Sequence, residues 1–155
     1  SYVVESLDVN LDNIAYAAVA SELIQELFAM YDVDRKVFDT VVNYSKQIRR
    51  RNVQLGTIML GWQLLFLAGV VPSANAFSHQ DGIDPFWMQV RESTSLTISP
   101  SVKAALPQIL AYQWGEDMPL ELPKTIWKEL EKLLFSYCEQ EIGKPLQSVK
   151  FLMSI

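Results

Sequence analysis

Apolar residues recur along this chain at three- and four-residue intervals, the spacing that keeps side chains on one face of a helix. Ile14, Ala17, Ala18, Leu23, Ile24, Leu27 and Phe28 predict a first helix running to about Met30, after a short extended lead-in and a cap at Asp8, Asn10 or Asp12. The small residues of Ala15–Ala20 would let another helix approach it closely. Asp34 opens a second helix with Val37, Phe38, Val41, Val42 and Ile48 on one stripe. Its last turn carries Arg49, Arg50 and Arg51, where cations suit the helix dipole. The third pattern is different: between an Asn52 cap and the stop at Gly69 and Pro72, the run from Val53 to about Ala68 is apolar almost all round. Such a helix is either the buried centre of a helical domain or a membrane span. Its marginal length, Gln54 and Gln63 inside it, and amphipathic neighbours that need a surface to pack on favour the buried centre.

Beyond Pro72 the pattern loosens. Residues 73–98 read as irregular, with turn signals at Asn75 and Asp81-Gly82; Phe86, Trp87, Met88 and Val90, then Leu96, Thr97 and Ile98, fit short strands or a packed loop. Ser99-Pro100 starts a further helix, which Pro107 is expected to kink or end. After a connector from Gly115 to Pro123, a last long helix carries Ile126, Trp127, Leu130, Leu133, Leu134, Tyr137, Cys138 and Ile142 on one face. Gly143 and Pro145 end it before a semi-apolar tail, Leu146 to Ile155. The expectation is a mostly α fold: one helical domain over residues 1–155, about five main helices around a central buried helix, with an irregular segment at 73–98.

Composition narrows the chemistry. Of 155 residues, 50% are hydrophobic and 20% charged, which is globular and not disordered. A single cysteine, Cys138, excludes an intramolecular disulfide framework and a multi-cysteine zinc site, and its place on the apolar stripe marks it as a small core residue. The single histidine lies in Ser78-His79-Gln80-Asp81, but a triad needs its members brought together from separated positions, so a turn histidine is the better reading. Asp81 and Asp84 alone make a poor calcium loop. Glu129, Glu131, Glu139 and Glu141 lie among Lys124, Lys128 and Lys132, where pairing along a wet helix face accounts for them. There is no glycine-rich phosphate loop, no Cys-x-x-Cys and no Glu-x-x-His. No cofactor and no enzyme are expected. Beginning at Ser1 with no signal-peptide layout, the chain reads as a fragment of a cytoplasmic protein.

The net charge of -5 hides a segregation. Residues 1–34 hold seven acidic residues and no basic one, whereas residues 35–51 reach a local +5. A basic segment inside an acidic domain suggests a local anionic partner, although a solvated helix face is an equally good reading. Lys46, Arg49, Arg50 and Arg51 beside the third helix would suit a groove for a peptide that combines acidic residues with an apolar anchor. Nucleic acid is the rival ligand for the same residues.

The order of these features resembles the C-terminal domain of the bacterial recombination mediator family RecO. Ala15-Tyr16-Ala17-Ala18 with Glu22-Leu23-Ile24 is similar to that family's first helix after its DNA-binding domain. Leu60, Leu64, Leu65, Gly69 and Pro72 resemble its central leucine-rich helix, Ser99-Pro100 the start of a later one, and Lys144-Pro145-Leu146-Gln147-Ser148 with Phe151-Leu152 its ending. Two departures stand out. Many members carry a four-cysteine zinc module after Gly-x-x-Pro, whereas Ser73–Ile98 has no cysteine and would be held by packing of Phe77, Phe86 and Trp87. The charges usual in the central helix are replaced by Ile58-Met59-Leu60-Gly61 and Gln63.

The resemblance implies a non-enzymatic mediator that anneals strands and, with RecR, helps load RecA onto DNA coated by single-strand-binding protein. DNA would be gripped mainly by an amino-terminal OB-fold that this chain lacks. The helical domain would offer a pocket to the acidic, phenylalanine-ended tail of single-strand-binding protein. Carried onto this sequence, Leu60, Leu64 and Ala68 would form the apolar pocket, and Lys46, Arg49, Arg50 and Arg51 the basic rim. Direct DNA binding through residues 46–51, or a purely structural scaffold for the OB-fold, are the other readings.

Overall fold

A computed structural model describes residues 11–31, 35–47, 52–72, 85–117 and 121–155. The regular elements among the described residues are seven helices: α1 (Leu11–Met30), α2 (Arg35–Gln47), α3 (Val53–Leu67), α4 (Pro85–Thr94), α5 (Pro100–Ala111), α6 (Lys124–Ile142) and α7 (Gln147–Ser154). A lone bridge links Trp114 and Glu116. The fold is all-α, as the periodicity predicts.

The ends of α3 follow from its sequence. The Asn52 side chain accepts a hydrogen bond from the Leu55 amide, and the chain leaves the far end through Gly69 at φ +85°. There the Gly69 amide donates to the Phe66 carbonyl and the Val70 amide to that of Leu65, so two orphan carbonyls are satisfied by a turn that favours glycine. Every residue from Gly56 to Leu65 is buried. Helices α1, α2, α5 and α6 surround α3, while α6 also packs on α1, α4 and α5, and α7 lies on α1. The centre is therefore α3; α1 is its most extensive partner, and α6 packs against it as well as against three other helices. Gly61 lets α3 and α6 meet: a Cβ there would lie 2.5 Å from Leu134 Cδ2.

Several details depart from the sequence reading. On α1 the core face is Ala15, Tyr16, Val19, Ala20, Leu23 and Leu27, whereas Ile14, Ala17 and Ala18 face outward. On α2, Val37 and Tyr44 are buried while Phe38 is 61% exposed. Residues 85–94 form a helix in place of strands, because Phe86, Trp87 and Val90 fall on one face and bury together. Pro107 does not end α5, which runs on to Ala111. The amide bond that proline removes would have reached the carbonyl of Lys103, an exposed residue, where water can replace it.

The glutamates of α6 are the largest correction. Glu131 is buried and accepts a hydrogen bond from the Tyr16 hydroxyl. Glu129 takes both the amide and the hydroxyl of Ser99, at 2.8 and 2.9 Å, fixing the start of α5. Glu139 accepts the Leu146 amide at 3.1 Å. These carboxylates join elements and do not simply solvate a face. The tail is also structured: Leu146 and Val149 are buried, and Glu22 on α1 accepts the amides of Gln147 and Ser148 at 3.1 and 2.8 Å. Beside it, Lys144 pairs with Glu26 at 2.8 Å.

Candidate functional site

With Thr57, Gln63 is one of two polar side chains in the buried stretch of α3, and a buried amide needs partners. Its Nε2 donates to the carbonyls of Ile109 and Tyr112 at 3.1 and 2.9 Å, at the end of α5, where the Ile109 carbonyl also accepts the Tyr112 amide. Its Oε1 accepts from the Trp114 indole at 2.7 Å. One side chain thus fixes the path of the chain as it leaves α5. The Trp114 ring then meets Tyr44 and Tyr112 edge-on, with centroids 5.5 and 5.4 Å away. The Tyr112 hydroxyl donates to the Glu116 carbonyl at 2.8 Å. Tyr44 shares a hydrogen bond with Thr57, and its burial raises the pKa of the phenol.

This corner forms one wall of an open groove of about 400 Å³ between α2, the end of α3 and the end of α5. Half-buried Phe66, Leu67 and Leu110 supply apolar surface; Lys36, Asp39 and Asn43 stand exposed on the α2 side. Lys46 is also exposed, one turn beyond Asn43. An apolar floor with amide, ammonium and carboxylate groups at its edge can hold a large apolar side chain while Lys36 pairs with a carboxylate next to it.

The residues expected to form the apolar pocket are distributed differently. Leu60 is 0% and Leu64 2% exposed, so both belong to the core. The reason is that α3 is enclosed on all sides through its middle, and only its last turn reaches the surface. Ala68, half-buried at the C-cap, adjoins Leu67 at the groove. Arg49, Arg50 and Arg51 lie outside the described residues, as do Phe77 and His79. Trp114 and Gln63 were not anticipated as site residues; the signal available for Gln63 was an amide in the middle of an apolar run.

Other chemistry is thin among the described residues. Cys138 is fully buried, and burial followed by the nearby charges of Glu139 and Glu141 pushes its thiol far above the ordinary range, so it packs as an inert thiol. No group of three His, Cys, Asp or Glu side chains gathers to hold a metal there, and no helix is long and apolar enough to cross a membrane.

A family model described as recombination protein O, C terminal, matches residues 9–150. The chain belongs to this family. No curated protein and no solved structure matches it. Membership in the recombination protein O family places the domain in DNA recombination and repair, in a family of mediators that is not a known enzyme family. It also gives a setting to the stretches on which the resemblance rests. The Glu22 segment and the Lys144–Ser148 segment, more than a hundred residues apart, are the two sides of the α1–α7 contact. The leucine-rich helix that ends in Gly69 and Pro72 is the core helix α3.

Proposed function

We propose that this domain is the non-enzymatic docking module of a cytoplasmic recombination mediator. Its groove takes the acidic, phenylalanine-ended tail of single-strand-binding protein, and the domain docks RecR, so that RecA is loaded and complementary strands are annealed. The observation that carries this reading is the groove itself. Phe66, Leu67 and Leu110 present half-buried apolar surface, Trp114 is held in place by Gln63, and Lys36 stands at the edge. A site organised before binding loses less conformational freedom when a peptide orders on it.

Apolar floor and basic edge have separable roles. The aromatic end of the tail would lie on Phe66 and Leu67, and its carboxylates would meet Lys36 and Lys46; Arg49, Arg50 and Arg51, which follow these lysines in the sequence, are proposed as further basic partners. DNA contact falls mainly to the OB-fold of the full-length protein.

Fluorescence anisotropy with a labelled tail peptide and, separately, a short single-stranded DNA tests this directly. Leu67→Ser should weaken the peptide about tenfold by removing apolar anchorage. Lys36→Glu should weaken it by about threefold to tenfold and flatten its loss with salt, because one screened attraction is gone. Changing Arg49, Arg50 and Arg51 to alanine should lower peptide affinity while leaving a measurable apolar component. DNA binding that falls steeply with salt, with no peptide binding, would overturn the proposal and make the basic segment a phosphate contact. Silence with both probes would leave a scaffold for the OB-fold.

A further inference from the structure

Helix α2 has three faces, and the groove uses one of them. Val37 and Tyr44, seven residues apart, turn into the core, while Lys36, Thr40 and Asn43 line the groove. The row Arg35, Phe38, Val42 and Lys46, spaced by three and four residues, occupies the remaining face. On it the Phe38 ring is 61% exposed, more than any other aromatic side chain among the described residues, and it is not part of the groove's wall. Val42 is half-buried beside it, and Arg35 and Lys46 are exposed. Neither cation has an ion pair among the described residues. The one acid in residues 35–51, Asp39, lines the groove.

This combination discriminates between anionic partners. A ring on the outside of a helix, with most of its surface in solvent, cannot enclose the apolar anchor of a peptide. It does present an open π face, on which a flat base stacks whatever its identity. Arg35 and Lys46 lie on either side of the ring, about 16 Å apart along the axis, where they reach phosphates flanking a stacked base. Bases in a duplex are already stacked on one another, which makes the matching strand a single one.

We propose that the outward face of α2 is a single-strand contact of this domain, in which Phe38 stacks on a base while Arg35 and Lys46 neutralise neighbouring phosphates. The contact is separate from the groove and does not rest on the reading given for it. A strand held here lies beside whatever the groove holds, on the same helix. Lys46 stands where the two faces meet, and Arg35 and Phe38 are therefore the residues that tell them apart.

Fluorescence anisotropy tests this with a labelled oligothymidylate of about ten nucleotides and an abasic strand of the same length, which carries the phosphates without the bases. Oligothymidylate should bind, and the abasic strand should bind about fivefold more weakly or worse. Phe38→Ala should cost oligothymidylate about fivefold or more and leave the abasic strand within about twofold, whereas Phe38→Trp should bind oligothymidylate at least as tightly as the wild type. Arg35→Ala should weaken both strands and flatten the fall of affinity with salt, as the loss of one phosphate contact requires. Phe151→Ala removes another exposed ring, on α7, and should leave oligothymidylate within about twofold. The proposal is overturned if oligothymidylate does not bind, if the abasic strand binds equally well, or if Phe151→Ala costs as much as Phe38→Ala. It is also overturned if Phe38→Ala weakens an acidic tail peptide and not the DNA, which would make the ring part of a protein site.

Discussion

A carboxylate facing bare helix N–H groups is a stronger tie than an exposed ion pair, and Glu22 has that position at the start of α7. Burial alone would raise its pKa, yet the hydroxyl and amide of Ser148, the amide of Gln147 and the charge of Lys144 together hold it below the usual 4.5. A lowered folded-state pKa means that the ionised form stabilises the fold. That contribution is complete above the unfolded value and is lost as pH falls through the folded one. Glu22→Gln should therefore cost about 1 kcal/mol near neutral pH, and urea unfolding should show wild type and variant converging on acidification. Tyr16→Phe is a harsher change, because it leaves the buried Glu131 without its donor. Equilibrium unfolding should show a loss of about 1–3 kcal/mol. Gln63→Leu removes the partner of Trp114 and of two carbonyls; the same measurement should show a comparable loss, accompanied by weaker tail-peptide binding.

Among elements, the approach of α3 to α6 sets the tolerance of the core. Gly61→Ala places a methyl against Leu134, a fully buried side chain with nowhere to swing. The helix-propensity gain of alanine, about 1 kcal/mol, is outweighed by overpacking of about 1–3 kcal/mol. Thermal melts should show Gly61→Ala destabilised and Gly61→Ala with Leu134→Val partly restored; a stabilised single variant would contradict this packing. The position of α3 was legible in the sequence because a helix apolar on every side has only one place in a water-soluble bundle. Its ends were legible in Asn52 and Gly69. The orientation of α1 was not, since Ala15–Ala20 is apolar at nearly every position and periodicity cannot choose a face. Helix α4 was missed because Phe86, Trp87, Met88 and Val90 form a short apolar run that fits either period. Glu131 was read as surface because its partner lies 115 residues away.

At the scale of the whole molecule, the fold opens a groove with an apolar floor where the last turn of the buried helix α3 reaches the surface. The groove was only half legible. Its basic side could be read from residues 35–51, and its apolar floor could be located near the end of α3. The leucines chosen for it, Leu60 and Leu64, lie where neighbouring helices close over α3, and burial follows from packing that periodicity alone does not specify. Trp114 comes from a connector and reaches the site through Gln63, 51 residues earlier, a tertiary hydrogen bond with no local signature. The central claim is that the tail of single-strand-binding protein docks in this groove. Mapping backbone and indole amide shifts of the labelled chain as unlabelled tail peptide is added tests it most directly. The account predicts saturable shifts at Lys36, Asn43, Leu67 and the Trp114 indole, with little change at Asp12 or Met153. Shifts centred elsewhere, or none at saturating peptide, would contradict it.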